Sequence, residues 1–332
     1  MMPPDPIPAD PCTVGATDPA TADPVAVDPA TVDWIAVDWG TTHLRAYAIG
    51  QARCLARAAS AEGMAGLTRA GCEPALLRLI TGWLAPGRQT PVVACGMVGS
   101  RQGWREAPYR TTPCAPLDPA TLVAVPTLDR RLDLRLVPGL CQTRPADVMR
   151  GEETQVAGAL AVLTDFDGVL CLPGTHSKWV HVSAAEVVSF QTCMTGELFA
   201  LLAEKSVLRH ACEGEGWDEA AFVLAVADAI ARPEKLAARL FALRAESLIA
   251  GLAAAAARAR LSGLLIGIEL AAARPYWLGQ DVVIVGTPML AGLYQRALAT
   301  LGVSARSLPV DACTIAGLTR ARGAVPCKGD AG

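Results

Sequence analysis

The hydrophobic pattern of the chain contains one strand–turn–strand segment that occurs twice. In residues 34–49 an apolar run ends at a polar turn, and the next strand has apolar side chains at every second position. Residues 169–182 repeat this arrangement. A third apolar run, at 282–285, leads into a glycine turn and a helical pattern for which Thr287 suits the N-cap. The pattern therefore predicts two similar β-hairpins and one strand–turn–helix unit.

Strand and helix periodicities also alternate in the rest of the chain. They predict further strands at 54–60, 91–95, 134–137, 186–192 and 306–309, and helices at 73–84, at 149–163, from 195, across most of 217–275, and from 311. Small residues at 157–158 and 316–317 predict that the helices at 149–163 and from 311 cross at close range. We therefore expect an α/β fold.

Composition limits the kind of protein this is. The 332 residues are 52% hydrophobic and 18% charged, which allows a substantial core in one large or two ordinary domains. The net charge of −3 gives no reason to expect nucleic acid or an anionic membrane as a partner. No apolar run suits a bilayer, and no signal peptide is evident. The eleven cysteines form no C-x-x-C pair, so we expect reduced thiols and a cytoplasmic location.

The domain organisation follows from where the hairpins lie. Residues 1–32 are mostly Pro, Asp, Ala and Thr, a composition that predicts a disordered tail. We expect an N-terminal lobe at 33–150, with the first hairpin, and a C-terminal lobe at 151–326, with the second.

The turn of the first hairpin carries groups suited to phosphate. Gly40 allows a ligand to approach the backbone, and the amide groups of the turn, with Thr41 and Thr42, can hold phosphate oxygens. Asp38, at the strand end, can hold a hydrated Mg²⁺ against them. The turn alone fits an ordinary solvated hairpin equally well. Its second copy favours phosphate binding.

That second copy has its own polar set. Gly174, Thr175 and His176 form the turn, and Lys178 follows in the next strand. Lys178 is either a charge for a phosphate group or a solvated strand residue.

Two further segments are candidates for the reaction itself. Residues 96–109 follow a buried strand and combine glycines, arginines and aromatics, where open α/β sheets bind ligands; an ordinary surface loop is the alternative. Glu152 and Glu153 begin the helix at 149–163, where they serve either in catalysis or only in balancing the helix dipole.

Seven segments together resemble the 2-dehydro-3-deoxygalactonokinase family of the actin, hexokinase and Hsp70 ATPase superfamily. They are 35–45 (IAVDWGTTHLR), 96–109 (GMVGSRQGWREAPY), 137–141 (VPGLC), 148–155 (VMRGEETQ), 173–180 (PGTHSKWV), 194–198 (MTGEL) and 262–269 (SGLLIGIE). The resemblance implies a two-lobed actin-like ATPase (ribonuclease H-like) fold with an interlobe nucleotide cleft. It also implies transfer of the ATP γ-phosphoryl group to the 6-hydroxyl of 2-dehydro-3-deoxy-D-galactonate, in galactonate catabolism.

The same resemblance assigns expected roles. Catalytic residues would be Asp38, Glu152 and Glu153, with Asp38 also holding Mg²⁺. Nucleotide-binding residues would be Gly40, Thr41, Thr42, Gly174, Thr175, His176, Lys178, Gly286 and Thr287. Substrate-binding residues would be Arg45, Gly96, Met97, Gly99, Ser100, Arg101, Trp104, Tyr109 and Arg150. The substrate carboxylate calls for a guanidinium, for which Arg45, Arg101, Arg105 and Arg150 are candidates. We expect Glu153 to accept the hydroxyl proton, because it shares its helical stripe with Ala157.

Two other functions stay open at this point, both with the same fold. One is a phosphohydrolase of the exopolyphosphatase type, for which the loop at 96–109 should carry more Lys and Arg. The other is a non-catalytic ATP-dependent switch protein. ATP and a small sugar acid are the expected ligands, and a homodimer is left open.

Overall fold

The computed structural model describes residues 27–323 of the chain. This part forms two compact units. The first contains residues 27–164 and 311–323, and the second contains residues 165–310. The chain therefore leaves the first unit once and returns to it for its last helix.

Fourteen strands are found among the described residues. They are β1 Trp34–Trp39, β2 Leu44–Gly50, β3 Arg53–Ser60, β4 Thr90–Gly96, β5 Arg110–Thr111, β6 Val123–Val125, β7 Leu132–Leu136, β8 Leu140–Thr143, β9 Ala146–Met149, β10 Gly168–Leu172, β11 Ser177–Ser183, β12 Glu186–Cys193, β13 Val282–Gly286 and β14 Arg306–Pro309.

Ten α-helices connect them within the same described part. They are α1 Arg69–Ile80, α2 Glu152–Val162, α3 Thr195–Lys205, α4 Arg209–Cys212, α5 Glu219–Ala231, α6 Leu236–Ile249, α7 Ala254–Ala272, α8 Arg274–Trp277, α9 Pro288–Ala299 and α10 Val310–Arg322.

The first unit is built on a six-stranded sheet of order β3-β2-β1-β4-β7-β6. Strand β1 pairs antiparallel with β2 and parallel with β4. Ile35 and Val37 point into one core cluster, while Trp34 and Ala36 point into another that includes Leu318 of α10. Because both faces of β1 are covered, the strand is an unbroken apolar run in sequence.

Helices α2 and α10 cross at close range in this unit. A Cβ atom on Gly158 would lie 1.7 Å from the carbonyl oxygen of Cys313, and one on Gly317 would lie 2.0 Å from that of Thr154. Only glycine allows the two backbones to approach so closely. The predicted crossing at small residues is therefore confirmed.

The second unit repeats the plan of the first. Its five strands run in the order β12-β11-β10-β13-β14, with β10 antiparallel to β11 and parallel to β13. In both units the first strand thus lies between its hairpin partner and a parallel strand that comes later in the chain. This repeated order is the ribonuclease H-like plan that the sequence predicted, and it confirms the actin-like fold.

The unit boundaries differ from the predicted lobes of 33–150 and 151–326. Residues 151–164 and 311–323 both lie in the first unit, because α2 packs against α10 there. A hydrophobic pattern does not show which sheet a helix covers, so this assignment needed the fold.

The predicted tail also differs from the structure at its end. Residues 1–26 lie outside the described part, but 27–32 pack on the first unit. Pro29–Thr31 form one turn of 3-10 helix, Val32 is fully buried, and Arg88 donates a hydrogen bond to the Pro29 carbonyl, at 3.1 Å.

Some local predictions were incomplete. The helix predicted at 73–84 begins at Arg69 and ends at Ile80, and the one predicted from 149 begins at Glu152. Strands β5, β6, β8 and β9 were missed because two to four residues are too short for a clear period.

Cys54 is disulfide-bonded, so the expectation of reduced thiols is wrong there, although eight other described cysteines are free. Within residues 27–323, no helix combines the length and apolarity needed to cross a bilayer.

Candidate functional site

The first hairpin turn is held from behind by the segment that follows β3. The Gly40 amide donates to the His43 carbonyl, at 3.0 Å, and closes the turn. The amides of Met64 and Ala65 donate to the carbonyls of Gly40 and Thr41, at 3.0 and 2.9 Å. The carbonyls of the turn are thereby fixed towards the protein.

The opposite side of this turn is open. Thr41 and Thr42 are exposed, and their backbone amides donate to no protein group within residues 27–323. Exposed amides in a rigid turn are suited to binding anions. The geometry therefore supports phosphate binding at the predicted residues.

Asp38 lies beside this turn, near the carboxyl ends of two parallel strands. It is the register partner of Cys95 in β4, and its carboxylate is 3.1 Å from the Arg45 guanidinium. Burial raises the pKa of Asp38, although Arg45 acts to lower it; the charges of Asp311 and Glu152 act in the same direction as burial. Asp38 is thus a partly buried carboxylate in an acidic surrounding.

A hydrated Mg²⁺ fits this carboxylate as an outer ligand. No cluster of three or more His, Cys, Asp or Glu arranged for a metal occurs among the described residues. Mg²⁺ commonly keeps most of its waters and takes one or two carboxylates with substrate phosphates. The single side chain Asp38, 18% exposed, is compatible with that mode of binding.

The start of α2 lies against the start of the 96–109 loop. Gly151 has a φ of +108°, and a Cβ there would lie 3.3 Å from the Cα of Gly96. This contact brings the two predicted acids next to the loop. Gly96 itself has a φ of +93°, so both positions favour glycine.

The two acids at this helix start have different environments. Glu153 is fully buried, and its carboxylate accepts from the Gly151 amide, at 2.7 Å, and from the Thr154 hydroxyl, at 3.0 Å. Burial, and secondarily the charge of Glu152, raises the pKa of Glu153 to about 8. Glu152 is half-buried and accepts from the Arg150 amide, at 3.0 Å. Glu153 therefore has a pKa near neutrality.

The 96–109 loop folds back on itself rather than extending into solvent. The Trp104 amide donates to the Val98 carbonyl, at 3.0 Å, and the Ala107 amide to that of Gly99, at 2.9 Å. The Trp104 ring is only 8% exposed and meets Trp39 edge-on, with centroids 6.3 Å apart. Trp104 therefore anchors the loop in the core, and its contact with the substrate stays a prediction.

The remaining predicted loop residues differ in accessibility. Gly99 and Ser100 are buried, Met97 is half-buried, and Tyr109 is 41% exposed. The Arg101 side chain is 81% exposed and lies 3.6 Å from Glu106. The loop thus offers Met97 and Tyr109 as partly accessible surface.

Arg150 is the buried arginine among the four candidates. It is 9% exposed, its guanidinium lies 4.3 Å from the centre of the Tyr109 ring, and its Nη2 donates to the Ala107 carbonyl, at 2.8 Å. Its Nε and Nη1 have no hydrogen-bond partner in the described part of the protein. By contrast, Arg45 is engaged with Asp38. Arg150 is therefore a buried cation with unused donors.

The turn of the second hairpin resembles the first in its support. The Glu197 amide donates to the Thr175 carbonyl, at 2.9 Å, and a Cβ on Gly196 would lie 2.3 Å from the Gly174 carbonyl oxygen. Thr175 and His176 are exposed, and His176 Nε2 lies 2.5 Å from the Glu197 carboxylate. The start of α3 thus holds this turn.

Lys178 lies in β11 and is only 3% exposed. A solvated strand residue, one of its two predicted interpretations, is therefore wrong. Its burial directly after the turn is unusual for a lysine.

The third turn lies next to the second hairpin in the same unit. A Cβ on Gly286 would lie 3.2 Å from the ring of Pro173. Thr287 caps α9, where its side chain accepts from the Leu290 amide, at 3.4 Å, and Pro288 takes the first helical position. These are the predicted cap and first residue.

Two acids near these sites were missed in the sequence. Asp311 influences the pKa of Asp38, and Glu269 is buried in the second unit. The signal for Glu269 was present, since it is an acid in a helix that is otherwise apolar nearly all round. Asp311 gave none, because acids are common in a first helical turn.

Comparison with known proteins shows the family of this chain. Residues 38–321 match the family model described as 2-keto-3-deoxy-galactonokinase. A protein of Rhizobium meliloti (strain 1021), named a probable 2-dehydro-3-deoxygalactonokinase, is 42% identical over 295 residues, which cover 86% of this chain and 95% of that protein. The 2-dehydro-3-deoxygalactonokinase of Escherichia coli (strain K12) is 34% identical over 286 residues, covering 84% of this chain and 94% of the relative.

A solved structure gives the same result at the level of the fold. The crystal structure of a Sinorhizobium meliloti protein, assigned as a 2-dehydro-3-deoxygalactonokinase, has a TM-score of 0.81 and 41% identity, and the match covers 89% of this chain and all of that one. Family model, relatives and structure agree over nearly the whole described part, and the chain belongs to the 2-dehydro-3-deoxygalactonokinase family.

Proposed function

We propose that this protein is a cytoplasmic kinase that transfers the γ-phosphoryl group of ATP to the 6-hydroxyl of 2-dehydro-3-deoxy-D-galactonate, in galactonate catabolism. Membership of the family supports the reaction class and the substrate. The observation in the structure that supports a sugar acid, rather than a neutral sugar, is the environment of Arg150.

A buried guanidinium with two unused nitrogens is unfavourable by itself, because those two nitrogens have lost water without gaining a hydrogen-bond acceptor. A carboxylate next to Arg150 would supply that partner, in the two-point geometry that guanidinium groups favour. The Tyr109 ring covers the guanidinium and holds its plane. We therefore assign the substrate carboxylate to Arg150. Arg45 is paired with Asp38, and Arg101 and Arg105 are exposed, so they are weaker candidates.

The rest of the sugar acid would lie along the beginning of the loop. Gly99 brings the backbone close to Arg150, since a Cβ on Gly99 would lie 3.0 Å from its Nη1, and Gly96 lies against Gly151. Met97, Ser100 and Tyr109 are the side chains next to this backbone.

The nucleotide would be held by three turns. In the first unit the amides of Thr41 and Thr42 would bind phosphate, with Gly40 beside them in the turn, and in the second unit those of Gly174, Thr175 and His176 would do so. Lys178 offsets phosphate charge, and Gly286 and Thr287 contact the adenosine. Bound Mg²⁺ would neutralise phosphate charge, with Asp38 holding it through water.

Glu153 would accept the proton of the 6-hydroxyl. A general base works best with a pKa near the working pH, and a pKa of about 8 meets that condition better than an ordinary carboxylate does. Glu153 has no exposed surface, so its surroundings must shift before the hydroxyl can reach it. Glu152, half-buried next to it, is the alternative base, and its charge helps to keep the pKa of Glu153 high.

The two other functions lack comparable support. A polyphosphate channel needs many cations, and the 96–109 loop contains two arginines and no lysine. A switch protein without chemistry gives no reason for a raised pKa beside the ligand loop.

The test is a panel of 2-keto-3-deoxy sugar acids in a coupled assay of ADP release, with glucose as a neutral control. We expect ADP release that depends on the acid and is fastest with the galactonate derivative. ADP release that is equal with and without sugar acid, or faster with the neutral sugar, would refute the proposal.

A further inference from the structure

A buried carboxylate connects four elements of the second unit. Glu269, on α7, is 3% exposed. Its Oε1 accepts from the Trp179 indole, at 2.8 Å, and its Oε2 accepts from the Tyr294 hydroxyl, at 2.8 Å, and from the Thr195 hydroxyl. The Tyr294 hydroxyl in turn lies 2.9 Å from that of Ser177. We call these five side chains the Glu269 network.

Each partner in the Glu269 network adjoins a segment proposed to bind ATP. Ser177 directly follows His176 of the phosphate turn. Thr195 directly precedes Gly196, which packs on the backbone of that turn. Tyr294 lies on α9, the helix that Thr287 caps. One carboxylate therefore fixes the phosphate turn, its supporting helix and the adenosine turn with respect to one another.

Stabilisation of the core does not by itself explain why a carboxylate is buried at position 269. Burial raises the pKa of Glu269, and the hydrogen bonds from Thr195, Trp179 and Tyr294 act against this shift. Well-packed apolar residues are often as stabilising as a buried polar group, or more so. A buried polar network instead fixes a specific geometry, because its hydrogen bonds are directional.

We infer that Glu269 is a positioning residue for ATP, which aligns the 174–176 turn with the Gly286–Thr287 turn through the hydroxyl of Tyr294. This inference rests on the proposed kinase function. Glu269 itself contacts neither substrate, so it acts through the residues that it holds.

The test is the variant Tyr294→Phe, which keeps the ring and removes the hydroxyl that donates to Glu269 and contacts Ser177. Binding of a non-hydrolysable ATP analogue is measured by calorimetry, and KM for ATP and for the sugar acid by ADP release. We expect the Kd of the analogue and KM for ATP to rise about tenfold, as for the loss of one well-made buried hydrogen bond. KM for the sugar acid should stay unchanged, because its residues lie in the other unit.

The matched control is Trp277→Phe. Trp277 is also buried in the second unit and also donates to α7, to the Leu270 carbonyl at 2.8 Å, but among the described residues no hydrogen bond joins its side chain to Glu269. Loss of this indole hydrogen bond in Trp277→Phe should lower the melting temperature without changing the Kd of the analogue. Thr195→Val is a second variant, which removes another donor to Glu269 and should again weaken binding of the analogue.

The outcomes separate the inference from the function on which it rests. An unchanged Kd in both Tyr294→Phe and Thr195→Val would overturn the positioning role while the wild-type kinase still works. An equal rise of the Kd of the analogue in Trp277→Phe would also overturn it, since any loss of stability in this core would then be enough to weaken binding. A wild-type protein that does not bind the analogue would refute ATP binding itself.

Discussion

Buried charged groups distinguish this molecule at the scale of single residues. Arg150, Glu153 and Glu269 are all at most 9% exposed, although such side chains usually lie at the surface. Each lies beside a segment that the sequence had marked for ligand binding. Their burial is unfavourable unless a ligand or a network compensates for it, so each gives a measurable expectation.

Replacing Arg150 should weaken binding of the sugar acid without weakening binding of ATP. Arg150→Lys keeps the positive charge but loses the planar pair of donors, so we expect KM for the sugar acid to rise roughly ten- to a hundredfold, with KM for ATP little changed. Steady-state kinetics with each substrate varied would measure both. The comparison variant Arg101→Lys, at an exposed site, should change KM far less; the reverse order would move the carboxylate to Arg101.

Glu153→Gln should slow the reaction without weakening the binding of ATP. The amide keeps the size and much of the hydrogen bonding of the acid but cannot accept a proton, so kcat should fall by roughly two to four orders of magnitude. Glu152→Gln should cost much less, and it should move the pH–rate profile to lower pH, because the charge that raises the pKa of Glu153 is gone. If Glu152→Gln has the larger effect on kcat, Glu152 is the base.

The raised pKa of Glu153 also predicts how stability depends on pH. The group has a pKa of about 8 in the folded protein against an ordinary value of 4.5, so protonation favours the folded state. Its contribution is complete below pH 4.5 and is lost as the pH rises towards 8. The melting temperature should therefore fall over this interval, and fall less steeply in Glu153→Gln. Parallel wild-type and variant curves would contradict the raised pKa.

The sequence predicted the identities of these residues better than their environments. Arg150 and Glu153 were candidates because of their motif. Four arginines were equivalent in the sequence, and Glu153 was preferred to Glu152 only by the helical stripe that it shares with Ala157. Only the fold shows that Arg150 lies under Tyr109 and that Arg101 is in solvent. Trp104 was assigned to the substrate because it lies in the loop, whereas the packing against Trp39 that buries it comes from β1.

At the scale of elements, helices α2 and α10 cross with their backbones in direct contact, which requires glycine at the crossing. Gly158→Ala would place a methyl group within 1.7 Å of the Cys313 carbonyl oxygen, and Gly317→Ala one within 2.0 Å of the Thr154 carbonyl oxygen. Either change should lower the free energy of unfolding by about 3 kcal/mol, since two backbones must separate. Chemical denaturation would measure this loss.

Gly82→Ala is the matched control for the crossing. Gly82 is exposed in the same unit, and a Cβ there would meet nothing within 4 Å. The change should leave the free energy of unfolding almost unaltered. Equal losses at Gly82 and Gly158 would show that the crossing tolerates a methyl group.

Hairpins and long helices were predictable because their periodicity and turn chemistry agree. The cap at Thr287 followed from the residue types alone. The short strands β5, β6, β8 and β9 were not predictable, since two to four residues are too few to show a clear period.

At the scale of the whole molecule, the end of the predicted tail, residues 27–32, packs on the first unit. Deleting residues 1–32 should lower the melting temperature, because Val32 leaves the core and the bond from Arg88 to Pro29 is lost. Deleting residues 1–26 should leave it unchanged, as their composition predicts. Thermal unfolding of both truncations would measure the difference. Identical melting temperatures would show that residues 27–32 contribute nothing.

The repeated sheet order was the largest feature that the sequence predicted. Two hairpins with similar turns indicated two related sheets, and the strand orders β3-β2-β1-β4 and β12-β11-β10-β13 agree with this. The return of the last helix to the first unit was not predictable from the pattern, because α10 is assigned by its packing against α2.

Identification of the product tests the proposed kinase most directly. The protein is incubated with ATP, Mg²⁺ and 2-dehydro-3-deoxy-D-galactonate, and the product is analysed by phosphorus–proton correlation NMR. The proposed function predicts one phosphate ester, coupled to the protons on C6, formed in equal amount to ADP. Release of inorganic phosphate without an ester, or no reaction of ATP, would contradict it.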